Sequence, residues 1–148
     1  MRARRHMVLA LGGLLAAAAC GGDGGSGPSQ SELVGTWQVV RCAYVSTGGL
    51  GTVDLISGGG TGTLVLTADD TLRLDVTPAS GPSVHLIATY EIRGIDLMRV
   101  TPAGASWYWA WDMALSGGTL KLTGADAEYD FNQDGLGEPA KWSLKMTR

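Results

Sequence analysis

Leu33-Val34-Gly35-Thr36-Trp37-Gln38-Val39-Val40 opens the part of this chain that can fold. Glycine and serine dominate before it. After it, apolar residues recur every second position, the spacing of a half-buried strand. The first strand is predicted over 37–45. Residues 48–62 are glycine-rich, with a short strand predicted over 52–56. Strands over 63–67 and 71–77 are joined by Ala68-Asp69-Asp70, a tight hairpin. On the second of these, Leu72, Leu74 and Val76 face one way and Arg73 and Asp75 the other. A second hairpin joins 83–92 to 95–101 around Arg93-Gly94. A third joins 106–115 to 119–123 around Ser116-Gly117-Gly118. A brief extended piece is read over 128–131. The last strand is read over 141–148, with Trp142, Leu144 and Met146 on one face. No stretch from Ser31 onward carries helical periodicity. The fold class is therefore all-β, an antiparallel up-and-down barrel of about eight strands. Closure also removes the exposed edges on which strands aggregate.

Upstream, Arg2, Arg4 and Arg5 precede an apolar run over 7–19, which is too short to span a bilayer. Small residues then lead into Cys20. This pattern resembles a bacterial lipoprotein signal, with Ala17 standing where leucine is commonest. The resemblance implies cleavage before Cys20, acylation of its thiol (palmitate being the usual chain) and an envelope location. Gly21, rather than an aspartate, after the cysteine resembles sorting to the outer membrane. Residues 20–32 then form a Gly/Ser-rich tether whose ten residues from Gly21 average ~20 Å end to end.

Cleavage removes 19 of 148 residues and leaves 129. It takes three of eleven basic residues, leaving eight against fourteen acidic ones and a net charge of −6. An acidic domain with no basic stripe is unsuited to nucleic acid or to electrostatic docking on anionic lipid. Membrane association would come from the acyl chains. With Cys20 lipidated, Cys42 has no partner for a disulfide and is read as a small apolar core residue.

Gly35-Thr36-Trp37 at the start of the first strand, the hairpin succession over 33–148 and the terminal Arg148 resemble the lipocalin-like domains of the calycin group. The resemblance implies that Trp37 closes one end of the barrel under a basic side chain from the last strand, a cation–π contact. Arg148 is that partner here, with Lys145 as the alternative. The chain is shorter than a typical lipocalin and lacks that family's C-terminal helix and middle motif, which argues against a roomy pocket.

The most unusual stretch is Ser106-Trp107-Tyr108-Trp109-Ala110-Trp111-Asp112-Met113. Period two places Trp107, Trp109, Trp111 and Met113 on one face. Three readings stay open for that column: barrel filling, the wall of a cavity for a small apolar or aromatic ligand, or an exposed surface for a partner. Asp130, Asn132 and Asp134, with Gly135 and Glu138 beyond, resemble the front of a calcium loop. Lys141 stands where the bidentate glutamate of an EF-hand belongs, so the other reading is an Asx turn. His85 alternates with apolar neighbours and faces solvent. One histidine and one thiol after cleavage make neither a zinc site nor a nucleophile–base pair. The glycines over 58–62 lack the lysine of a phosphate loop.

The expectation is a lipid-anchored, non-enzymatic envelope protein without a cofactor, calcium aside, binding a small apolar ligand. The alternative is a structural or interaction lipoprotein with a filled core, acting through its loops or outer face.

Overall fold

The computed structural model describes residues 27–148. Residues 1–19, read as a signal peptide, Cys20 and most of the stretch read as a tether lie outside the described residues. Nine strands follow one short helix: α1 (Gln30–Leu33), β1 (Gly35–Ser46), β2 (Thr52–Asp54), β3 (Thr61–Leu66), β4 (Thr71–Thr77), β5 (Val84–Arg93), β6 (Leu97–Pro102), β7 (Trp109–Ser116), β8 (Thr119–Tyr129) and β9 (Glu138–Thr147). All sheet pairings are antiparallel. From β3 to β9 each strand pairs with the next, and β9 returns to β1. Eight strands thus close an up-and-down barrel of calycin-like architecture. β2 is an extra strand on β1, continuing the line that β3 begins.

Two bulges set which side chains enter the core. Strict alternation from Trp37 would bury Arg41. The register instead shifts between Val39 and Arg41. Trp37 and Val39 point in before the shift, and Cys42 and Tyr44 after it, while Arg41 turns out. The second shift lies between Leu122 and Ala125. Gly124 supplies the left-handed backbone it needs, with φ of +89°. Leu120 and Leu122 fill the barrel before this bulge, and Ala125 after it.

The structure corrects several boundaries. Gln30–Leu33 is helical, so the tether, read over 20–32, gives way to structure at Gln30, and Leu33, read as the start of the barrel domain, closes the helix. Glu32 accepts from the Ser29 backbone N–H at 2.8 Å, and Leu33 is fully buried beneath the barrel. One helical turn is too short to leave a period. The predicted 119–123 strand runs on to Tyr129 and takes in the first half of the extended piece read over 128–131, because the bulge at Gly124 carries pairing past the polar residues; Asp130 and Phe131 already belong to the loop. The final strand begins at Glu138, not 141, since Pro139, which lacks an N–H, sits at the strand's start and pairs through its own carbonyl, which accepts from the Thr47 backbone N–H at 3.0 Å. β6 starts at Leu97, because Gly94, Ile95 and Asp96 form the turn.

One end of the barrel is shut. Arg148 stacks on Trp37, its guanidinium carbon 3.9 Å from the ring centroid. Trp37 Nε1 donates to the Leu33 carbonyl at 2.8 Å. Arg148 Nη2 donates to the carbonyls of Glu32 (2.8 Å) and Val34 (2.9 Å). Gly35 between them has φ of +138°, and the guanidinium lies over the space a side chain would take. At this end the described chain also enters, with Gly27 against the Ile95 backbone.

Candidate functional site

The opposite end is open, for a reason visible in the strand register. β6 stops at Pro102 and β7 starts only at Trp109, while their outer neighbours run on. β5 meets β6 first at Ala88–Pro102, so residues 84–86 lie beyond the last rung. β7 leaves β8 after Asp112–Thr123, at the bulge, so residues 125–129 have β9 on one edge and no strand on the other. A side window results between β5 and β8. It is a depression of about 560 Å³ lined by Tyr44, Leu86, Trp107, Trp109, Glu128 and Trp142, among others. That volume suits a small organic molecule.

Aromatic rings make its floor. Trp109 lies 5.4 Å from Trp142 edge-to-face, 5.8 Å from Trp111 and 4.7 Å from Trp107 between centroids. Tyr44 stacks on Trp142 at 5.6 Å and on Tyr129 at 4.8 Å, and Tyr129 meets Phe131 at 5.1 Å. Seven of the chain's ten aromatic residues thus form one continuous array. Its far limb, Tyr129 and Phe131, lines a neighbouring depression of about 840 Å³ with Leu55, Pro78 and Asp130. Glu128 lines both.

The tryptophan column is therefore split. Trp111 and Met113 are 1% and 4% exposed and fill the barrel. Trp111 Nε1 donates to the Trp142 carbonyl at 3.3 Å. Trp109 is half-buried on the window floor, and Trp107 is 53% exposed at its rim. Trp107 lies in the loop before β7, not in the predicted strand over 106–115. Arg99 holds Tyr108 on the outer face of β6, 4.0 Å from guanidinium to ring, and Gly104 turns the chain at φ of +78°.

Buried polar atoms near the floor are neutral. Cys42 is fully buried, and its Sγ accepts from Trp142 Nε1 at 3.4 Å. Burial pushes its thiol up to about 11. Burial, and then Cys42 and Tyr129 beside it, push the Tyr44 phenol well above its ordinary value. Neither is a ready nucleophile at neutral pH. His85 is exposed, with Nδ1 2.8 Å from Asp75.

Asp130, Asp134 and Glu138 bring carboxylate oxygens within 4.8 Å of one another. Those oxygens already hold the loop's own backbone. Asp130 accepts from the N–H groups of Asp134 and Gly135, Asn132 from Asp134, Asp134 from Leu136, and Glu138 from Phe131. The arrangement is a nest of Asx turns, and a cation would have to compete with these donors.

Period two reached Trp109 and Trp111. It could not reach Tyr44, Tyr129 or Trp142 as their companions, because period two works within one strand and these three lie on β1, β8 and β9. Compared with known proteins, the chain matches no family model, and no curated protein is significantly similar to it. The site is argued from geometry.

Proposed function

We propose that this protein is a lipid-anchored envelope lipoprotein that holds a small apolar or aromatic molecule in the side window. The observation that carries the reading is Trp109: a tryptophan from the interior face of β7, partly exposed on a concave floor of further rings. The part of a large aromatic that stays wet in a concavity gains from a flat apolar body that displaces water from it. The interior below Trp111 is packed, so the ligand sits at the barrel's end and not along its axis.

Lipidation at Cys20, with cleavage before it, rests on the N-terminal pattern. The described chain enters at the shut end, beside Ile95 and α1. An anchor there turns the window away from the membrane, toward the aqueous side of the envelope. No step of catalysis is assigned to it. The test is titration of the full chain with neutral aromatic and aliphatic probes, read by tryptophan fluorescence and calorimetry. Saturable binding that weakens about tenfold in Trp109→Ala is the expected result. A flat response to every probe overturns it. Loss of membrane partitioning in Cys20→Ser tests the anchor separately.

A further inference from the structure

Beyond the bulge at Gly124, β8 keeps one bare edge. β7 parts from it after Asp112–Thr123, and residues 125–129 pair only with β9. The direction of their backbone groups follows from Pro139. Its carbonyl accepts from the Thr47 N–H at 3.0 Å, on the β1 side of β9. Pro139 lies opposite Glu128. Residues opposite one another in an antiparallel pair turn their backbone groups either toward each other or both away. Glu128 therefore turns its N–H and C=O away from β9, into the window, and Asp126, two residues back, does the same. The loop after β6 is tied to the other side, where Ala103 donates its N–H to the Ile87 carbonyl at 2.9 Å. Residues 126–128 accordingly line the window from one side and 84–86 from the other.

Side chains alternate along this edge. Ala127 points in, half-buried, and lines the window with Trp109 and Trp142, while Asp126 and Glu128 point out. Asp126 is bound by Lys141 at 2.6 Å on the β9 side. Glu128 has Pro139 there and forms no ion pair among the described residues.

We propose that the window accepts an extended peptide, added as a strand to β8 at 125–129, with basic residues on its outer face and an aromatic one between them. This rests on the window being a ligand site and names the class of ligand. Backbone bonds to Asp126 and Glu128 supply affinity, as in other strand additions. The residue opposite Ala127 turns inward, where a small methyl leaves room for a ring against Trp109. Those opposite Asp126 and Glu128 turn outward beside the carboxylates, where lysine or arginine is favoured. A second copy is the poorer occupant. Pairing this edge with itself sets Asp126 and Glu128 of one chain against the same carboxylates of the other.

The test uses the full chain and the blocked peptide acetyl-Val-Lys-Phe-Lys-Val-amide, followed by calorimetry and by amide exchange in NMR. Its lysines fall opposite Asp126 and Glu128 in either strand direction. Methylating both lysine amide nitrogens removes donors to β8 and is expected to weaken binding by about tenfold or more. Methylating the phenylalanine nitrogen, which faces away from β8, keeps binding within about threefold. Bound peptide is expected to slow exchange of the Asp126 and Glu128 amides by about tenfold or more, and to leave the Ala127 amide, already turned to β9, unchanged. Glutamate in place of both lysines weakens binding about tenfold, and Glu128→Lys closes most of that gap. Should that variant fail to fold, the methylated pair carries the measurement on the unaltered chain. Methylated and parent peptides binding alike, or a peptide binding no tighter than acetyl-phenylalanine-amide, overturns strand addition and leaves the window standing. A dimer by sedimentation that the peptide does not disperse assigns the edge to a second copy and overturns the proposal. No binding of peptide, acetyl-phenylalanine-amide or neutral aromatic probe at millimolar concentration overturns both.

Discussion

Arg148 and Trp37 hold the two ends of the folded chain together at the closed end of the barrel. The guanidinium covers the indole at 3.9 Å and bonds the carbonyls on either side of Leu33. Those carbonyls lie where the helix ends and have no strand partner. Arg148→Ala is expected to destabilise the fold by roughly 1–2 kcal/mol, the sum of an exposed cation–π contact and charge-assisted hydrogen bonds discounted for solvent. Arg148→Lys recovers less than half, because an ammonium lacks the planar fork. Urea unfolding checks both. A change below a few tenths of a kcal/mol would show that the cap is ornamental.

The tryptophans of β7 and its loop should separate by function. Trp111→Ala removes a buried ring that fills the barrel and is expected to cost about 3–5 kcal/mol. Trp107→Ala, at the exposed rim, stays within roughly 0.5 kcal/mol of the parent. It still weakens ligand binding. Thermal melts paired with probe titration distinguish the two. Equal destabilisation would mean that Trp107 belongs to the core.

Gly124 is the hinge of the bulge that parts β7 from β8. Its φ of +89° is unfavourable for a β-branched side chain. Gly124→Val is expected to lose about 1–3 kcal/mol. Gly124→Asn, which tolerates that region better, should lose less. If valine were accepted without loss, the register shift would not depend on this residue.

Alkaline pH should unfold the protein through Cys42. The buried thiol titrates near 11 when folded and at its ordinary 9.0 when exposed. Above pH 9 the unfolded chain releases its proton while the folded one keeps it, so stability falls as pH rises toward 11. Below 9 both states hold the proton and the group contributes no slope. Two pH units correspond to roughly 2–3 kcal/mol. Tyr44, shifted the same way by burial, extends the decline further up. In Cys42→Ala the slope of urea-derived stability between pH 9 and 11 is expected to flatten, and an unchanged slope would acquit the thiol.

Calcium is expected to leave the melting temperature unmoved, since Asp130, Asn132, Asp134 and Glu138 are already bonded within their loop. Melting in millimolar calcium against a chelator decides it. A rise of several degrees would mean that the carboxylates exchange backbone donors for the ion.

Much of the barrel can be read in the order of residues alone. Leu72, Leu74 and Val76 alternate with polar neighbours, and β4 forms over the predicted 71–77. Turn chemistry at Asp69-Asp70 and Gly117-Gly118 placed two hairpins, because glycine and aspartate accept backbone angles other residues resist. These are local signals, set by one residue and its near neighbours. The bulges at Val40 and Gly124, the four-residue helix and the window are not local. Each depends on which strand lies alongside and where its pairing stops. The same holds for the aromatic floor: Tyr44, Trp109 and Trp142 are distant in the chain and become neighbours only when β1, β7 and β9 curve into one closed sheet. Sequence periodicity assigned inward and outward faces. Unequal strand lengths around the closed sheet decided which inward-facing rings would meet solvent.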